Sequence, residues 1–387
     1  MIEQIKAEAI ALLERLVAFD TESDKSNLPL IDFVESWLRE RGIEVLRAPN
    51  AAGDKAALLA TIGPKIDGGV VLSGHTDVVP VTGQKWTGDP FGLRDDGERL
   101  YARGACDMKG FDAIALAMAP HFKAAKLRRP VHILLSYDEE TTCLGSIDFI
   151  ARFGKDLPRP AAVIVGEPTM MEVIDAHKSI ATFRTIVTGF EAHSSKPALG
   201  ANAVQTACEI VAEIGRIADS YEAAPGNPRF DPPYSTLHVG TIHGGTARNI
   251  LARECAFHWE FRGLPGETAA EALRRVQDYV ERIALPRLTR YVKGPGVETI
   301  VEIDIPGLAP EPGSPAESLL LNLTRSNQTR AVSFATEAGR FQTAGLPTIV
   351  CGPGSIEQAH KPDEFLSLAQ LDAGLDFMAR LAEHLSG

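Results

Sequence analysis

Four short apolar runs constrain this chain's fold more than any other feature. They are AALLATIG (56–63), GVVLSGHTD (69–77), PVHILLSYDEE (130–140) and AAVIVGEPT (161–169). Three are nearly uninterrupted by polar residues, which suits strands of a sheet covered on both faces. FDAIALAMAPHFKAA (111–125) and GSIDFIARFG (145–154), set among them, have helical spacing. The expected architecture is α/β, a mixed and largely parallel sheet with helices on both faces.

From about residue 180 the pattern changes. IATFRTIVTGF (180–190) alternates as a half-exposed strand should. A long amphipathic helix (201–223), two strand-like runs (235–244 and 254–263), a second helix (268–285) and a last strand (297–305) follow. The order βαββαβ predicts a small two-layer α+β domain. The Pro/Gly-rich IPGLAPEPGSP (305–315) reads as a linker, after which helix and buried-strand patterns resume. A chain of 387 residues exceeds one compact core. The expected division is 1–179 and 309–387 for one domain, with 180–308 inserted.

Composition excludes several functions. With 39 basic against 51 acidic residues, the net charge of −12 repels nucleic acid and anionic membranes. KLRR (126–129) is the nearest thing to a basic run. No stretch is apolar enough to predict a membrane span, and the charged N-terminal helix pattern does not read as a signal peptide. Five scattered cysteines without CxxC pairs fit a reducing, cytoplasmic setting.

In open α/β sheets, ligands bind beyond the carboxyl ends of the strands. His75 and Asp77 follow one run, Asp138, Glu139 and Glu140 another, and Glu167 a third. His360 comes shortly after TIVCGPGS, and Asp107 sits in a glycine-flanked loop before a helix. Singly, each is more often a cap or a hydrogen-bonded loop residue. Converging on one sheet edge, they would leave uncompensated charge without a cation. Imidazole with carboxylate suits zinc and its first-row neighbours, cobalt and manganese included, and a shared aspartate could bridge two ions. Of Glu139 and Glu140, one can face metal while the other handles a proton.

The segments SGHTDVVP (73–80), RGACDMKG (103–110), YDEE (137–140), GEPT (166–169), GGTARN (244–249) and AHKPDE (359–364) resemble a known family across nearly the whole chain. It is the acetylornithine deacetylase and succinyl-diaminopimelate desuccinylase family of metallopeptidases. The resemblance implies a zinc-aminopeptidase-like catalytic domain, an inserted dimerisation or lid domain, and two divalent ions, zinc before cobalt. His75 and Glu167 would hold one ion, Glu140 and His360 the other, with Asp107 as bridge. Asp77 would orient His75, Glu139 would serve as general base and acid, and the Asp107–Met108 peptide would be cis. His193, in GFEAHSSKP, would reach the partner subunit's active site in a homodimer and stabilise an oxyanion. Asn249, Arg262 and Thr336 match substrate-contacting positions, with Arg262 as a carboxylate clamp. The N–H groups of CGPGS, at Gly352 and Gly354, could receive an α-carboxylate.

The implied activity is hydrolysis of the N-acetyl amide of N2-acetyl-L-ornithine to ornithine and acetate, in arginine biosynthesis. The stretch 335–365, with Glu337, favours that branch. Desuccinylases, other N-acyl-amino-acid amidohydrolases and carboxypeptidases share every metal ligand and remain rivals. An inactive small-molecule-binding relative is the alternative of another class. The intact Glu139 and the five ligands speak against it.

Overall fold

Strand direction decides where the polar residues of this chain can meet. The computed structural model describes residues 2–387. Its main sheet has eight strands in the order Glu44–Pro49, Ala56–Ile62, Val131–Ser136, Gly69–His75, Pro160–Val165, Thr348–Val350, Ile174–His177, Arg330–Val332. The strands from Val131–Ser136 to Thr348–Val350 run parallel, so their carboxyl ends share one edge. Ala56–Ile62 and Glu44–Pro49 extend the sheet antiparallel on one side.

The apolar runs are what this sheet requires. Gly69–His75 and Val131–Ser136 are buried at every position. Helix Lys109–Ala124 is buried along most of its length and packs against helices Ile2–Val17 and Leu368–Ser386. Leu72, Ile133, Ile164, Ile114 and Leu375 belong to this one core.

The chain forms two compact units. The first runs to Ala176 and resumes over Pro310–Ala331 and Thr336–Gly387; the second is His177–Ala309 with Val332–Ala335. The second unit holds an antiparallel sheet ordered Thr236–Gly244, Glu254–Arg262, Ile180–Thr188, Gly296–Ile305. Alternation in Ile180–Thr188 buries Ala181, Phe183, Thr185 and Val187 on one face. Trp259 stacks on Phe183 at 4.0 Å, and its indole N–H donates to Thr185 Oγ1 at 3.0 Å. Asn202 and Thr268 cap the two helices by accepting from Gln205 and Glu271 N–H, each at 3.2 Å.

Some elements differ from the sequence pattern. The helix expected over 145–154 shrinks to Ile147–Ile150. Gly154, at φ 78°, turns the chain, and Phe153 forms a bridge with Leu157. Beyond those patterns the chain also forms helix Leu28–Glu40, strand Glu44–Pro49 and a three-stranded sheet of Arg94–Asp95, Arg99–Tyr101 and Phe365–Ser367. Among the described residues, no helix is long and apolar enough to cross a membrane.

Two histidines are buried outside the set of candidate ligands. His132 is fully buried, 2.9 Å from Thr61 Oγ1 and edge-on to Phe153, and burial pushes it down to about 4. Burial does the same to His177, also to about 4. Unfolded histidine titrates near about 6.5, so between these values the unfolded chain binds more protons. Stability therefore rises with pH across that window and is lost as pH falls through it, by up to about 3 kcal/mol per histidine. Urea unfolding from pH 7 to pH 4 should show this slope, and His132→Leu should remove its share. An unchanged slope in the variant would count against the assignment.

Candidate metal centre

Three of the parallel strands deliver their following residues to one edge, and the candidate ligands gather there. His75 ends its strand directly after Gly74. A Cβ at Gly74 would lie 2.0 Å from Asp112 Oδ1, so the buried carboxyl beneath requires glycine. Glu139 and Glu140 sit in a turn opened by Asp138 at φ 56°, whose carbonyl accepts from Thr142 and Cys143 N–H at 2.9 and 2.8 Å. Glu167 follows Gly166, where a Cβ would run 2.2 Å from the Phe111 ring. Asp107 precedes helix Lys109–Ala124, and its peptide bond to Met108 is cis.

Asp107 stands at the centre. Its Oδ1 lies 3.1 Å from His75 Nε2 and its Oδ2 3.4 Å from His360 Nε2. His360 Nε2 is also 3.0 Å from Glu140 Oε2. His75 Nε2 is 3.9 Å from Glu167 Oε1 and 4.0 Å from Glu139 Oε2. The ligand atoms of His75, Glu139 and Glu167 all lie within 4.8 Å of one another, as do those of His75, Asp107 and Glu140. Side chains of His75, Asp107, Glu139, Glu140 and Glu167 are at most 9% exposed, against 52% for His360.

The charges do not balance among themselves. Burial pushes Glu139, Glu140 and Glu167 above the usual carboxylate range, and neighbouring carboxylates add to it. Burial disfavours a charged His75, yet Asp107, Glu139, Asp77 and Glu167 hold its proton well above the ordinary range. Hydrogen bonds to Asp107 and Glu140 raise His360 to about 10. Burial opposes ionisation of Asp107, and the two histidines overcome it. Among the described residues, Glu167 Oε1 is buried without a hydrogen-bond partner. Oxygen and imidazole donors, excess carboxylate and an orphaned carboxylate oxygen fit divalent cations of the zinc type.

Asp77 meets His75 through its backbone. His75 Nδ1 lies 2.9 Å from the Asp77 carbonyl, while the nearer carboxylate oxygen is 3.6 Å away. The carbonyl therefore fixes the tautomer that leaves Nε2 free for a metal. The carboxylate instead accepts from Glu139 N–H at 3.1 Å, Glu140 N–H at 3.3 Å and the Ser23 hydroxyl at 2.8 Å.

The CGPGS expectation needs correction. Gly352 N–H donates to Thr169 Oγ1 at 3.2 Å and Gly354 N–H to Gln370 Oε1 at 3.0 Å. Both are committed inside the unit, and neither is offered to a substrate carboxylate. Thr336 is fully buried, and its hydroxyl accepts from Ala338 N–H at 3.0 Å. His193, Asn249 and Arg262 belong to the second unit. His193 and Asn249 are exposed. His193 Nδ1 contacts Ser195 Oγ at 2.8 Å, and Arg262 pairs with Glu260 at 2.7 Å.

Sequence reading missed Glu364, although it closes the AHKPDE segment. Its Oε1 accepts from the N–H groups of Cys106 at 2.9 Å and Asp107 at 3.0 Å, while Arg103 Nη1 donates to Oε2 at 2.6 Å. Both partners are buried. Arg103→Ala would leave this carboxylate unpaired, at a cost of about 3–5 kcal/mol. Urea unfolding measures the loss; a change below about 1 kcal/mol would mean that the pair does not hold the Asp107 loop.

Comparison with known proteins follows this geometry. The model of peptidase family M20/M25/M40 matches residues 71–384. An acetylornithine deacetylase of Proteus mirabilis is 36% identical over 369 residues, covering 95% of this chain and 92% of that protein. The crystal structure of aminopeptidase PepT from Bacillus cereus superposes with a TM-score of 0.77 at 17% identity, covering 99% of each chain. A Bacillus subtilis protein described as a dinuclear metal binding peptidase of the M20 family gives a TM-score of 0.66 at 16% identity, again over 99% of each chain.

Proposed function

The chain belongs to peptidase family M20/M25/M40, a family of metallohydrolases, and from that premise we propose that it cleaves the N-acetyl amide of N2-acetyl-L-ornithine. The products are L-ornithine and acetate. The observation that carries this choice is the 36% identity, over 95% of the chain, to a protein named acetylornithine deacetylase.

His75, Asp107, Glu140, Glu167 and His360 would hold two divalent ions, zinc or cobalt. Once bound, these supply Lewis acidity to the amide carbonyl and lower the pKa of a water from 15.7 to roughly 7. Glu139 is the base and acid. It lies 4.0 Å from His75 Nε2, next in sequence to Glu140, and burial favours its protonated form. It takes a proton from the attacking water as the O–C bond forms, then gives that proton to the amine nitrogen as the C–N bond breaks. Asp77 keeps Glu139 in place through the Glu139 N–H.

In this reading the second unit contributes His193, Asn249 and Arg262 to substrate binding, with His193 acting on the partner subunit of a homodimer. Support comes from the outer strands Thr236–Gly244 and Gly296–Ile305, whose exposed Ile242, Ile300 and Val301 suit contact with a second copy.

Glu139→Gln should lower kcat by about 10²–10⁴-fold while bound metal stays unchanged. Loss of metal by elemental analysis would make Glu139 a ligand instead. A hydrolysis panel of acetylornithine, succinyl-diaminopimelate, acetylmethionine and a dipeptide tests the substrate. The highest kcat/KM should fall on acetylornithine; a preference for another member would overturn the assignment.

A further inference from the structure

We propose that Gln84 is a positioning residue for His360, locking this most exposed candidate ligand to the loop that carries Asp107. The inference rests on the two-ion reading of the site. His360 differs from its fellow ligands because neither strand nor core packing places it. It sits in an irregular loop at φ 63°, with its side chain 52% exposed. Something outside the core must fix its register.

Gln84 Nε2 donates to the His360 carbonyl at 2.9 Å. Gln84 Oε1 accepts from Arg103 Nη2 at 2.6 Å and from Trp86 Nε1 at 3.1 Å. Guanidinium and indole can only donate, so the amide oxygen must face them. The amide NH₂ is then forced towards the His360 carbonyl, and the orientation is fixed by chemistry. Arg103 continues the chain to Glu364, and Glu364 accepts the Asp107 N–H. Polar contacts therefore run from Asp107 through Glu364, Arg103 and Gln84 to His360. They close where His360 Nε2 meets Asp107 Oδ2 at 3.4 Å. The ring ties the shared carboxylate to the exposed imidazole.

A second tether lies nearby. Asp363 accepts from Thr87 N–H at 3.1 Å and from the Thr87 hydroxyl at 2.6 Å. The loop thus keeps its general path without Gln84, and what is lost is the orientation of residue 360. Partners that orient metal ligands contribute about 10–100-fold in affinity. With the second tether in place, the lower end of that range is expected.

Zinc titrated into the chelator-stripped full chain, followed by a competing indicator dye, tests this. In Gln84→Ala one of two binding events should weaken by roughly tenfold, with the other unchanged. Gln84→Glu keeps the acceptor for Arg103 and Trp86 but sets an oxygen against the His360 carbonyl, so it should weaken the same event at least as much. Wild-type affinity in either variant overturns the proposal. Equal weakening of both events, or a lowered melting temperature, also overturns it, because the role would then be general support. If the unaltered chain binds fewer than two ions, the two-ion reading fails and takes this proposal with it. A wild type that binds two ions beside indifferent variants sinks this proposal alone.

Discussion

Asp107 is shared by two imidazoles, and much of the surrounding structure serves that arrangement. Each carboxylate oxygen faces a different histidine, at 3.1 and 3.4 Å. Holding a buried carboxylate between two ring nitrogens demands a rigid loop. The Asp107 N–H is anchored on Glu364, and Glu364 is neutralised by Arg103. The parallel strands then bring His75, Glu167 and the Glu139–Glu140 turn within reach. Each candidate ligand is a neighbour of a rigid element except His360, which hydrogen bonds hold from outside.

The same site concentrates negative charge where water is scarce. Buried carboxylates repel one another and favour protonation, which is what burial does to Glu139, Glu140 and Glu167. A bound cation reverses that preference, because its charge exceeds any local protein charge. Metal binding and the ionisation of these groups are therefore coupled. Asp77 anchors the backbone of both glutamates, and their side chains then diverge, Glu140 to His360 and Glu139 towards His75.

Much of this was legible in the sequence, for identifiable reasons. A strand buried on both faces must be apolar throughout, so the runs ending at His75, Ser136 and Val165 announced themselves. Polar residues at the ends of such strands converge by topology, and so the candidate ligands could be named together. What escaped depends on backbone atoms or long-range pairing. The Asp77 carbonyl, not its carboxylate, lies nearest to His75. The N–H groups of Gly352 and Gly354 are already occupied by Thr169 and Gln370, distant in sequence. Glu364 meets Arg103 across 261 positions, with no local periodicity to betray the pair. The helical spacing in 145–154 misled because Gly154 turns the chain.

The most direct measurement is anomalous scattering from crystals grown with zinc. Two zinc peaks are expected, one beside His75 and one beside His360, with a different oxygen of Asp107 about 2.0–2.2 Å from each. A single peak, or two peaks that do not share Asp107, would contradict a two-ion centre built around that carboxylate.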